Sequence, residues 1–141
     1  MSTALLTTPA QSYRLSAPNS VTSPKVCRDT IAALLYANGH HELVDPARLL
    51  VSEIVTNITV HTTASAIHVE ATVRHDTVLV SVHDNDPHGR PGPRAARDDE
   101  ESGRGLLLVR EIAYAWGVTW TGGLQPTGKR IWFELREPVA E

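Results

Sequence analysis

The sequence predicts an α+β fold, a two-layer sandwich with helices packed on one face of a mixed, mainly antiparallel β-sheet. Three observations predict it. Apolar residues recur with helical spacing between Ser23 and Gly39 and again from Asp45 to His61. They alternate with polar neighbours over 67–73 and 78–84, the period of a half-buried strand. The resulting order of helix, helix, hairpin, long loop, helix and hairpin does not alternate single strands with single helices, as a parallel α/β sheet would.

Each element has its own warrant. Residues 1–11 read as a disordered leader of small polar residues, 12–137 as one domain and 138–141 as a tail. Tyr13 and Leu15 alternate with polar residues and suggest a short edge strand. Ser23 is placed to cap the first helix, with Pro24 in its first turn. Cys27, Ile31, Leu34 and Leu35 share one face, and Gly39 can end the helix with a left-handed residue. On that face Cys27 reads as a small core residue and not as a reactive thiol. Asp45 and Pro46 open the second helix. Val78, Val80 and Val82 form the inward stripe of a hairpin strand. Residues 86–102 break all periodicity with glycine, proline and charge, and a loop of that length commonly serves a function. "GRGLLLVREIAYAWG" reads as a glycine-led helix with Leu106, Val109, Ala113 and Trp116 inward and Gly117 as its stop. Two further strands complete the chain.

Size and charge narrow the function. The chain has 141 residues, about one domain's worth, with 41% hydrophobic and 21% charged residues. A net charge of −3, with the arginines scattered, argues against a direct nucleic-acid binder. One cysteine cannot form an internal disulfide, which suits a reducing cytoplasm. No secretion signal or membrane-spanning run is evident, so neither export nor a membrane is expected.

Three features stand out as chemistry. Glu53, Asn57 and His61 recur at i, i+4 and i+8, one stripe on the second helix. Arg48, Ser52, Thr56 and Thr59 form the solvated face on roughly the other side, at about 100° per residue. Asp84 continues the inward stripe of Val78, Val80 and Val82, so a carboxylate is aimed at the helical layer from a strand end. Gly103-Arg104-Gly105 stands directly ahead of an apolar helix, whose free N–H groups favour an anion. Two patterns mislead. "GLQPTGK" (123–129) has phosphate-loop spacing up to the lysine, but Arg130 replaces the Ser or Thr that binds magnesium, and strands flank it. The seven histidines never adopt the helical spacing of a zinc site, and no zinc is expected.

The ordered set "LLVSEIVTNITVHT", "VSVHDND", "ESGRGLLLV", "WGV" and "GKRIWFEL" resembles the histidine-kinase-like ATPases of the Bergerat-fold superfamily. Within it the chain is most similar to the stand-alone anti-sigma-factor serine kinases, from about Tyr13 to Arg136. The resemblance implies that ATP and Mg²⁺ are bound. It makes Asn57 the Mg²⁺ ligand and Glu53 the base that activates an attacking serine hydroxyl. Asp84 accepts a hydrogen bond from the adenine amine. Gly103, Arg104, Gly105 and Leu106 cradle the phosphates beneath a lid made of 86–102. The implied partners are a sigma factor and an anti-anti-sigma-type protein, and a homodimer is compatible with the family. The implied function is an ATP-binding anti-sigma factor with serine kinase activity; the alternative is a nucleotide-gated or nucleotide-free binding regulator without kinase turnover. Two departures are visible. The family's Asp-x-Gly-x-Gly is here Asp84-Asn85-Asp86-Pro87-His88, and Lys129 and Arg130 stand where a threonine commonly lies beside the adenine.

Overall fold

A computed structural model describes residues 9–86, 107–125 and 127–138. Most of the leader, most of the long loop and the glycine-led turn therefore lie outside the described residues. The strands are β1 (Gln11–Pro18), β2 (Ala66–Val73), β3 (Thr77–Asp84), β4 (Ala115–Thr121) and β5 (Gly128–Arg136); the helices are α1 (Ser23–Ala37) and α2 (Val44–His61). They form one five-stranded sheet in the order β1-β2-β3-β5-β4. Every pairing is antiparallel. The expected two-layer α+β architecture is present, with a sheet that is wholly antiparallel.

The pleat sorts the residues. Ile67, Val69, Ala71 and Val73 of β2, Val78, Val80 and Val82 of β3, and Ile131, Phe133 and Leu135 of β5 all turn inward and are buried. Cys27, Ile31 and Leu35 of α1 meet them, together with Ala47, Leu50, Val51, Ile54, Val55 and Ile58 of α2. Burial of the Cys27 thiol raises its pKa, because the low-dielectric core disfavours the thiolate.

The helix starts differ from the sequence reading. Ser23 is not the cap of α1 but its first residue, and its buried hydroxyl donates to the Pro18 carbonyl. Thr22 takes the cap position without a side-chain capping hydrogen bond; its hydroxyl pairs with that of Ser20. Asp45 and Pro46 likewise fall inside the first turn of α2, because a 3₁₀ turn over His41–Leu43 runs into it. Gly39, at φ 80°, does end α1 in the left-handed region. Next to it His40 is buried, with Nδ1 2.6 Å from Glu137 Oε2 and Nε2 donating to the Arg74 carbonyl at 2.8 Å. One imidazole thus ties the end of α1 to the β2–β3 turn and to the chain just past β5.

The third helical segment ends earlier than its pattern suggests. Residues 107–112 are helical, but Trp116 and Gly117 belong to β4 and do not end a helix. Tyr114 N–H already donates to the Glu134 carbonyl, so pairing with β5 takes over where the helical pattern would continue. Gly117 faces Trp132, whose indole fills the space a Cβ at 117 would need.

Candidate functional site

The α2 stripe is placed by which flank of the helix meets α1. Arg28 of α1 donates to Ser52 Oγ at 3.3 Å, and Arg48 Nη2 lies 3.4 Å from Asp29 Oδ1. Arg48 and Ser52, read from sequence as solvated, therefore line the α1 side. Asp29 is partly exposed, and its pKa is lowered chiefly by the Lys25 hydrogen bond, with Arg48 and Arg28 adding charge. The core face follows, and Glu53, Asn57 and His61 emerge on the flank away from α1. Glu53 and Asn57 are half-buried and His61 is exposed. Asn57 and His61 are each engaged within the molecule. No described side chain hydrogen-bonds or ion-pairs with Glu53, so its carboxylate is available.

Asp84 lies where the period-two stripe puts it, 1% exposed at the end of β3. Its Oδ1 accepts the Asp86 N–H at 3.0 Å. Its Oδ2 is 3.0 Å from Lys129 Nζ, close enough for charge pairing. Yet the angle is poor, and Oδ2 accepts no properly directed hydrogen bond. The carboxylate is thus charge-compensated but keeps one lone-pair direction unused. Lys129 offsets the cost of burying that charge, and removing one partner of a buried pair costs about 3–5 kcal/mol.

The strand end is fastened to the exit of α2. Asn85 Oδ1 accepts the Ser65 N–H at 2.9 Å and the Ala66 N–H at 3.2 Å, while its Nδ2 donates to Ser65 Oγ at 2.7 Å. Thr63 Oγ1 reaches Asp86 Oδ1 at 3.4 Å. On the other side Gly128 presses against the same strand end, where a Cβ would come within 2.1 Å of the Asp84 carbonyl oxygen. Asp84 is thereby held between the α2 exit and the start of β5.

The sequence reading identified Asp84 and the α2 stripe but missed three supports. They are Asn85 as the clamp on 65–66, Gly128 as the point of close approach, and Lys129 as the partner of Asp84. The β3–β5 register, Asp84 against Lys129, is the missing signal, and it joins residues far apart in sequence. Gly103, Arg104, Gly105 and Leu106 lie outside the described residues. Among the described residues no group of three or more His, Cys, Asp or Glu is placed to hold a metal. A magnesium ion on the Asn57 amide oxygen would take its remaining ligands from phosphate and water, the usual habit of Mg²⁺. No described helix is long and apolar enough to cross a membrane.

Comparison with curated proteins finds no match. The model of one family, the histidine kinase-like ATPase domain, matches residues 17–133, a span that contains the α2 stripe, Asp84 and Lys129. The chain belongs to the histidine kinase-like ATPase domain family.

Proposed function

We propose that the chain is an ATP-binding regulatory protein acting as an anti-sigma factor, with serine kinase activity toward an antagonist protein. The observation that carries the nucleotide part is Asp84: buried, charge-compensated, and with one oxygen still lacking a directed hydrogen bond. That acceptor suits an exocyclic amine. Asn57 supplies the hard oxygen that would hold magnesium, and 103–106 would hold the phosphates by their backbone N–H groups. Mg-ATP supplies, when bound, the phosphoryl group and the metal charge that balances it. Glu53 supports the kinase part. It is half-buried and uncommitted one helical turn from Asn57, and can take the proton of an incoming serine hydroxyl.

A second reading keeps the nucleotide and drops the chemistry. It is favoured by the lack of glycine between Asp84 and Gly89, and by Lys129 beside the base subsite. Calorimetry with Mg-ATP, paired with phosphate transfer to a serine-bearing antagonist, separates the two. Glu53→Ala is expected to keep Mg-ATP affinity and slow transfer by about 10²–10⁴-fold. Asn57→Ala is expected to lose the magnesium-dependent part of binding. Wild type that binds Mg-ATP but transfers nothing, with Glu53→Ala holding the sigma partner equally well, leaves only the nucleotide-gated regulator.

A further inference from the structure

We propose that Lys129 is a specificity-determining residue: with Asp84 it forms a donor–acceptor pair that reads the N1 and 6-amino positions of adenine directly. The inference rests on the ATP-binding reading and adds to it a side chain that replaces a neutral hydroxyl with a charged donor. Asp84 and Lys129 are direct partners across β3 and β5, so the two side chains leave the sheet side by side on the same face. Gly128 holds β5 against the Asp84 backbone, which fixes where the lysine stem begins. Oδ1 of Asp84 is committed to the Asp86 N–H, while Oδ2, buried beside the Lys129 ammonium at 3.0 Å, keeps a lone pair without a directed hydrogen bond. The lysine ammonium carries three N–H groups and no acceptor. Its described partner is Asp84 alone, so it has donors to spare.

Depth gives the pair a direction. The Asp84 side chain is deeper, 1% exposed, and the Lys129 side chain shallower, at 21%. Adenine presents an exocyclic N–H donor that projects beyond the ring, next to the N1 acceptor set further back. The projecting donor meets the deep acceptor, and the set-back acceptor meets the shallow donor. A 6-oxo purine reverses both groups, setting O6 against the carboxylate and N1–H against the ammonium. A site with fixed charged partners rejects such reversal strongly, because the mismatched groups lose water and gain nothing.

Simple charge compensation is the competing role for Lys129, and base analogues distinguish it. Titration calorimetry compares Mg-ATP, Mg-GTP and the Mg complex of 1-deaza-ATP, in which a C–H replaces N1. Wild type is expected to bind ATP about tenfold or more tightly than 1-deaza-ATP, with GTP weaker still. Lys129→Met is expected to erase the preference for ATP over 1-deaza-ATP, whatever it does to both affinities together, and Lys129→Arg to restore part of that preference. Equal weakening of both nucleotides by Lys129→Met, with the preference for ATP over 1-deaza-ATP kept, assigns the lysine to compensation and overturns the inference. Tighter ATP binding by that variant, with the preference kept, makes the lysine a competitor for the site, and also overturns it. Should Lys129→Met fail to fold, the wild-type comparison of ATP with 1-deaza-ATP decides alone, indifference to N1 being fatal. Wild type that binds ATP but ignores N1 sinks only this inference, whereas wild type that binds no ATP removes the functional reading with it.

Discussion

Gly128 is a residue whose missing side chain shapes the site. Its φ is ordinary, so its role is purely one of space: a methyl group there collides with the Asp84 carbonyl. Gly128→Ala is expected to destabilise the fold by about 1–3 kcal/mol, as overpacking does, and to shift Lys129 away from its partner. Urea unfolding and nucleotide titration of the same variant measure both effects. Cys27 makes the opposite case, a reactive group silenced by packing. It is fully buried and its thiolate is disfavoured, so iodoacetamide should label it only as fast as the fold opens. Labelling at an equal rate in native and urea-unfolded protein would refute that. The direction of Asp84 was legible because period two needs only neighbouring residues. Its partner was not, because Lys129 reaches it through a strand register that no local pattern encodes.

At the scale of elements, α2 was legible in existence and in the position of its polar stripe, but not in its surroundings. Sequence periodicity separates apolar from polar flanks; it does not say which polar flank another helix will cover. Arg48 and Ser52 face α1, while Glu53 and Asn57 stand on the far side. β4 shows the converse failure. Ala113, Tyr114 and Ala115 continue a helical pattern, yet Trp116 pairs with Phe133 and Val118 with Ile131, and the sheet gains more from those residues than a longer helix would. His40 is the fastening among the elements. His40→Ala removes two part-buried hydrogen bonds, to the Arg74 carbonyl and the Glu137 carboxylate, each with a net worth of about 0.5–1.5 kcal/mol. Denaturant unfolding should show a loss of that size, with unchanged secondary structure by circular dichroism.

For the whole molecule, helices and sheet share one apolar core, from Ala17 of β1 to Leu135 of β5. Phe133 is fully buried on β5, a strand flanked on both sides. Phe133→Ala is expected to cost about 3–5 kcal/mol. Near- and far-ultraviolet dichroism should fall together on heating, since a single core leaves no part to unfold separately. Two separated transitions would show that the β4–β5 hairpin melts independently. The architecture itself was readable from the order of elements. The placement of β5 between β3 and β4 was not, and the pairing of Asp84 with Lys129 depends on that placement.

All three tryptophans, Trp116, Trp120 and Trp132, fall on the β4–β5 hairpin, and Trp120 pairs directly with Lys129. The tryptophan fluorescence of the protein therefore originates from one corner of it, the corner that carries Lys129. An event confined to α1, which carries Tyr36 but no tryptophan, leaves the tryptophan emission unchanged, whereas a shift of the lysine stem alters the surroundings of an indole next to it. The molecule carries its own optical reporter, with no label to introduce.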